Sequence, residues 1–208
     1  MNNTRQRLLD AATRVFAEQG VDTASLLEVA RRAGQRNRGA VHYHFGSRTG
    51  LLVAVLEQYA GFLAEREGEL LARATGSPDT ELAPVLEAVV RPAVELAETG
   101  WRGRCYLVVV AELAESDQAT LDPEVAAALA RTGGYAVYDL LTRRMPALAE
   151  HVLTERLSLL TGFVLRSVAD RARAVERGHG RAQLDTDAFT ANLVAMAAGM
   201  ASAPPIDL

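Results

Sequence analysis

Composition, periodicity and punctuation together predict an all-α protein: a three-helix N-terminal head and a larger C-terminal helical bundle, about nine helices in total. Apolar residues make up 49% of the 208-residue chain and aromatics only 5%, with alanine and leucine dominant. Sheets favour β-branched and aromatic side chains instead. Apolar positions recur at helical spacing, and glycine, proline and N-capping residues cut the chain into segments of a few turns. No internal repeat is visible. A chain of this length buries a proper core as one large unit or as two small ones.

The first helix is expected from about Thr4, as N-cap, to Glu18, with Leu8, Leu9, Ala12, Val15 and Phe16 on one face. Gly20 ends it. Ser25 and Glu28 form an S-x-x-E capping box that opens a second helix, which stops at Gly34 and turns Leu26, Val29, Ala30 and Ala33 inward. A very short third helix ends near Phe45. Ser47 caps a longer one, in which Leu51, Leu52, Val55, Leu56, Tyr59, Phe62 and Leu63 keep the 3.6-residue period as far as the breaker Gly76-Ser77-Pro78-Asp79. Further segments follow at about 80–98, 101–116, 122–144 and 148–177, then a loop at Gly178-His179-Gly180-Arg181 and a last helix, Asp185–Met200. Pro92 is expected to kink or break the fifth segment, whereas Pro84 and Pro123 occupy first-turn positions that tolerate proline. The head is assigned to residues 1–50 and the body to residues 51–208.

The net charge of -4 hides an asymmetry. Residues 1–50 hold eight arginines and four acids, a balance of +4, and the remaining residues hold fourteen and twenty-two, a balance of -8. A basic head on an acidic body suits a module that meets phosphates. All 22 basic residues are arginine. Cys105, alone of its type, excludes an intrachain disulfide and sits in Cys-Tyr-Leu-Val-Val-Val-Ala, the setting of a buried small hydrophobe more than of a redox sensor. No apolar run spans a bilayer and the N-terminus is no signal peptide, so a cytoplasmic protein without membrane contact is expected.

The chemistry of enzymes is hard to find here. No nucleophile–base pair and no Gly-rich phosphate loop is readable, so no catalytic residue and no cofactor is assigned. His42 and His44 do not share a helix face at i, i+2, and the Glu176…His179 E-x-x-H match has no second copy, so no metal site is assigned either.

Residues 25–52 carry the most specific pattern: two short helices about a glycine turn, an aromatic and polar hinge, then the start of a longer helix. That is the layout of a helix-turn-helix, whose second helix enters the major groove of duplex DNA by its N-terminal residues. With Asn37 as cap, the groove-facing set is Arg38, Gly39 and His42. Arg38 can donate two parallel hydrogen bonds to guanine, Gly39 lets the backbone approach, and His42 lies one turn on. Val41 and Phe45 point inward. The competing reading of His42 and His44 is surface histidines without a role.

The segment Arg5–Leu56 resembles the N-terminal domain of the TetR family of bacterial transcriptional regulators. The resemblance rests on Leu8-Leu9-Asp10-Ala11-Ala12, Val15-Phe16-Ala17-Glu18-Gln19-Gly20, Val29-Ala30-Arg31-Arg32-Ala33-Gly34, Gly39-Ala40-Val41-His42-Tyr43-His44-Phe45 and Leu51-Leu52, in that order. It implies phosphate contacts from Tyr43, His44 and Arg48, and from Ser25 at the start of the preceding helix. One residue more than the usual spacing separates Gly34 from the His-Tyr-His-Phe block. Placing it at Gln35-Arg36 leaves the helix unchanged and projects Arg36 toward the DNA backbone or the groove edge.

The same resemblance implies that residues after about 57 form a ligand-binding and dimerisation domain. The expected partners are a double-stranded DNA operator, a second copy of the chain and a small-molecule effector that releases the DNA, as for a repressor. Pocket candidates are Trp101, Tyr106, Glu112, Tyr135, Tyr138 and Arg166, each with plain core or surface duty as the competing role. Two apolar stripes, Leu157, Leu160, Val164 and Val168, and Phe189, Leu193, Met196 and Met200, read equally as a twofold interface or as intradomain core. The rival to the whole reading is a helical ligand-binding protein or enzyme in which the N-terminal helices are structural only.

Overall fold

A computed structural model describes residues 3–116, 120–178 and 183–204. Ten helices and no strand occur among them: α1 (Asn3–Gln19), α2 (Leu26–Arg32), α3 (Gly39–Phe45), α4 (Arg48–Thr75), α5 (Ala83–Glu98), α6 (Trp101–Glu115), α7 (Pro123–Ala130), α8 (Tyr135–Arg144), α9 (Glu150–Arg177) and α10 (Thr186–Ser202). The extra helix arises because Gly133 and Gly134, with φ of 105° and 100°, cut the segment expected at 122–144 into α7 and α8. His179, Gly180 and Arg181 of the expected loop lie outside the described residues.

The apolar face read for α1 is the one that packs, since Leu8, Leu9, Ala12, Val15 and Phe16 are all buried. Helices α1 and α3 pack on the first turns of α4 and α2 packs on α1 and α3, and Leu51, Leu52, Val55 and Leu56 of α4 belong to the same core. Phe62, expected inward, is exposed. Helix α4 runs without a break through the 50/51 boundary, so head and body share a 28-residue rod. Its C-terminus is tied down by Arg144 of α8, a side chain only 2% exposed that donates to the carbonyls of Ala74 (2.8 Å), Ser77 (3.0 Å) and Glu81 (3.0 Å). Ala74 belongs to the last turn of α4 and Ser77 and Glu81 to the segment that follows, so one guanidinium fixes the helix end and the chain beyond it together.

In the body, α5 packs against α4 and α10, and α6 against α9. Pro92 does not break α5, which continues from Ala83 to Glu98. Proline removes one backbone donor, but Pro92 sits buried among apolar neighbours that hold the helix together. Helix α6 lies between head and body and is nearly all apolar inward: Cys105, Tyr106, Leu107, Val108, Val109, Val110, Ala111 and Leu113 are buried. No helix among the described residues is long and apolar enough to cross a membrane.

Candidate nucleic-acid interface and ligand cavity

Ser25 caps α2, its Oγ accepting the Glu28 N–H at 3.4 Å, but this is only half of the expected capping box, because the Glu28 carboxylate turns to arginines instead of the Ser25 N–H. Glu28 then holds Arg31 (2.8 Å) and Arg32 (2.7 Å), and Arg32 also reaches Glu18 at 2.6 Å. The hydrogen bonds from Arg31 and Arg32 hold the Glu28 carboxyl down at about 2. These arginines are therefore already neutralised. Arg36 and Arg38, exposed in and after the turn, have no acidic partner among the described residues.

The turn ends in Asn37, whose Oδ1 accepts the Gly39 N–H at 2.9 Å. Asn37 thus supplies the capping oxygen, although regular helix starts one residue later than expected, with Arg38 in the αR conformation at the cap position. Val41 is fully buried and Phe45 half-buried, its ring covered by the Arg5 guanidinium 5.0 Å away. Gly50 allows the end of α3 to lie on α4, because a Cβ there would stand 2.1 Å from the Phe45 carbonyl oxygen. Ser47 caps α4 by accepting the Gly50 N–H at 2.9 Å.

With its inner side held this way, α3 turns Arg38, Gly39, His42 and Tyr43 outward; Tyr43 is 85% exposed. The His42 ring folds back so that Nδ1 lies 2.9 Å from the Gly46 carbonyl oxygen, which makes Nδ1 the protonated nitrogen and leaves Nε2 outward. His44 is half-buried and edge-on to Tyr43, ring centroids 4.9 Å apart.

Arg48 is the correction in this region. Its guanidinium does not face outward but donates to the carbonyls of Ala24 (2.7 Å) and Val21 and lies 5.6 Å from the Phe16 ring centroid. The loop between α1 and α2 leaves those carbonyls without backbone partners, and the first residue of α4 is within reach of them. Arg48 staples the head rather than presenting a charge to phosphate.

The body contains a cavity of about 360 Å³ bounded by α4 to α9. Its wall is aliphatic, from residues such as Leu86, Leu107, Val110 and Leu141, with Glu67 and Tyr138 at one corner and Tyr135 at the exposed end. Of the six candidates from sequence, Tyr135 and Tyr138 line it and four do not. Tyr106 is fully buried and donates to the Leu56 carbonyl at 2.9 Å, a core hydroxyl joining α6 to α4. Trp101 lies between the guanidiniums of Arg14 (4.5 Å) and Arg102 (4.8 Å) at the start of α6. Glu112 accepts the Val21 N–H at 2.7 Å. Arg166 faces the surface with Glu115 at 3.3 Å and Asp170 at 3.6 Å.

Glu67, missed in the sequence, is the acidic residue of the cavity wall. A signal for it exists: Leu56, Ala60, Leu63, Glu67, Leu70 and Ala74 form one inward stripe of α4 at alternating steps of four and three, with a single acid in it. Burial pushes the Glu67 carboxyl up from its ordinary value.

Part of the expected interface is also redrawn. Leu160, Val164, Val168 and Leu193 are buried inside the chain. The most continuous apolar stripe of α9 turns toward α6 and α5, where a single chain can bury it unaided. Leu157, Phe189 and Met200 are half-buried and Met196 is 50% exposed; beside them the outer face of α9 shows Leu159, 58% exposed. Among the described residues no cluster of three His, Cys, Asp or Glu side chains could hold a metal.

Residues 8–55 match the family described as "Bacterial regulatory proteins, tetR family", and residues 87–200 match the "Tetracyclin repressor-like, C-terminal domain". Over 91 residues the chain is 37% identical to the HTH-type transcriptional regulator AcrR of Shigella flexneri, covering 44% of this chain and 42% of that protein. Over 53 residues it is 53% identical to the HTH-type transcriptional regulator SrpR of Pseudomonas putida, covering 26% and 24%. The match therefore spans less than half the length of these curated relatives. The fold is similar to that of AibR, solved in complex with isovaleryl coenzyme A and operator DNA (TM-score 0.59, 16% identity, 93% of this chain and 97% of that one). It is also similar to that of the TetR family transcriptional regulator PfmR from Thermus thermophilus (TM-score 0.56, 19% identity, 94% and 97%). Since the C-terminal match alone takes in more than half of the sequence and the N-terminal match covers the helix-turn-helix, the chain belongs to the TetR family of bacterial regulatory proteins.

Proposed function

We propose that the protein is a non-enzymatic, cytoplasmic transcriptional repressor that binds a palindromic operator as a homodimer and is released by a small molecule in the body. The observation that carries this reading is the outward face of α3. Arg38, Gly39, His42 and Tyr43 stand exposed on a basic head while Val41 and Phe45 lock the helix from behind. Arg38 reads a base edge, Gly39 brings the backbone close, and His42 offers Nε2 to a base donor. Arg36, Tyr43, His44 and the cap at Ser25 position the helix on phosphates.

Release follows from α6. One side of it lines the cavity with Leu107, Val110 and Ala114. The other side holds the head through Arg102 to Asp10 (2.6 Å) and Glu112 to Val21 (2.7 Å), and meets the shared helix α4 through Tyr106 to Leu56 (2.9 Å). Two recognition helices must sit about one turn of DNA apart, ~34–36 Å. A ligand that fits the cavity better at another α6 position lowers affinity for both half-sites at once. The test is fluorescence anisotropy with the duplex flanking the protein's own gene. The expected result is salt-sensitive binding of two protomers per site that unrelated duplex competes poorly. Indifference to every duplex overturns the reading.

A further inference from the structure

The polar inventory of the cavity is short and one-sided. Thr132 and Thr161 already donate to carbonyls of their own helical turns, Leu129 (2.7 Å) and Leu157 (2.7 Å). No arginine or histidine is among the lining residues, and the chain has no lysine. Besides the hydroxyls of Tyr135 and Tyr138, that leaves Glu67, the one charged residue of the lining, 8% exposed in a largely aliphatic wall.

Its surroundings are built around a carboxylate but do not neutralise it. Oε2 accepts the Gly134 N–H at 2.7 Å, and Oε1 has no hydrogen-bond partner among the described residues. A Cβ at Gly133 would stand 2.5 Å from Oε2, so the Gly133-Gly134 bend fits only without side chains. Among nearby arginines, Arg66 is held by Glu95 (2.8 Å) and Glu69 (2.6 Å), Arg131 by Glu57 (2.9 Å) and Arg144 by the end of α4, while Arg73 is exposed and, like the others, is not among the lining residues. One N–H is poor compensation for a buried charge, which ordinarily requires an ion partner as well.

We infer that the cavity selects an apolar molecule carrying one protonated amine, its ammonium paired with Glu67 and its hydrocarbon body among the aliphatic residues of α5, α6 and α9. The Tyr138 ring approaches Gly134 to within 3.9 Å of where a Cβ would be, so an aromatic ring is placed at the same corner as the carboxylate. Carboxylate and ring attract a cation together. Cavities of this size take drug-sized molecules. An anionic ligand would meet a like charge and no cation. This inference rests on the cavity being the effector site, and it names the class of effector.

Three probes of one shape decide it: 4-phenylbutylamine, 4-phenylbutan-1-ol and 4-phenylbutanoate, titrated calorimetrically into the DNA-free full chain at neutral pH. The amine is expected to bind at least about tenfold tighter than the alcohol, and the acid not detectably. In Glu67→Gln, whose amide oxygen still accepts the Gly134 N–H, the amine should lose that advantage while the alcohol binds as before. Equal binding of the three, preference for the acid, binding of none, or an undiminished amine preference in Glu67→Gln overturns the inference. If the variant fails to fold, the wild-type ranking decides alone. The same amine is then added to the protein–duplex complex. Amine binding without release of DNA leaves the ligand class standing and sinks release by ligand. Intact DNA binding with no amine selectivity does the reverse.

Discussion

Glu112 of α6 accepts the backbone N–H of Val21 at 2.7 Å, across the seam between the body and the loop that leads into the helix-turn-helix. Val21 is buried, so its N–H has no ready substitute. An unsatisfied buried donor costs about 1–3 kcal/mol. Glu112→Ala should therefore lower unfolding free energy by about that amount in urea titrations, and should weaken DNA binding because the head loses its anchor. Glu112→Gln keeps an acceptor oxygen at the same place and should behave almost as wild type. An Ala variant as stable as the parent would show that this bond does not hold the seam.

Two arginines of the head should separate cleanly. Arg38 is exposed and has no acidic partner among the described residues, and Arg38→Ala should leave thermal stability unchanged while relaxing preference at one base per half-site by about 1–3 kcal/mol. Arg48 instead holds the carbonyls of Ala24 and Val21. Arg48→Ala should lower the melting temperature and leave the salt dependence of residual DNA binding as it was. Arg36→Ala, at an exposed turn position, should reduce the salt slope by about one per protomer, or about two for the dimer on its operator. Competition with mutated duplexes and a salt series measure all three.

Arg38 and Arg48 also mark what a sequence conveys and what it hides. Buried faces and caps are legible because they depend on residues close in sequence: the α1 stripe, and the capping oxygens of Ser25, Asn37 and Ser47, which accept the N–H groups of Glu28, Gly39 and Gly50. The family resemblance is legible for the same local reason. The errors are tertiary. Arg48 reads as a surface charge until α4 is laid against the loop at Val21, and the α9 stripe, which reads equally as interface or core, is resolved for Leu160 only when the folded chain buries it. Tyr106 has the ring and hydroxyl of a ligand contact, but its hydroxyl meets a carbonyl 50 residues away in sequence. Glu67 is found by asking why an acid interrupts an inward stripe.

Glu67 and Glu28 should affect stability with opposite sign as pH changes. Burial raises the Glu67 pKa above the ordinary 4.5, so the folded state holds its proton more tightly than the unfolded chain. Its contribution is then fully present below pH 4.5 and is lost as pH rises through the folded pKa. Glu67→Gln, neutral throughout, should gain stability relative to wild type as pH is raised from 4.5 toward neutrality. Glu28 is held at about 2 by Arg31 and Arg32, so its contribution is present above 4.5 and lost as pH falls toward 2. Glu28→Gln should lose stability near neutrality and match wild type in acid. Denaturant titrations across pH for the three proteins check both signs. A Glu67→Gln curve parallel to wild type at every pH would show the carboxylate to be solvated.

Neighbouring leucines on α9 should answer the question of assembly. Leu159 is 58% exposed and Leu160 is 3% exposed, a difference set by the 100° turn between successive helical residues. The homodimer proposed above, built on α9 and α10, would cover Leu159 and Met196, both exposed on those two helices. Leu159→Glu should therefore give a folded monomer by light scattering. It should retain near-wild-type helicity and bind single half-sites only, with the loss of affinity expected when two linked contacts become one. Leu160→Glu places the same charge in the buried core at the cavity wall and should unfold the chain instead, since no cation there compensates it. A dimer that survives Leu159→Glu and Met196→Glu together would move the interface off this face of α9 and α10.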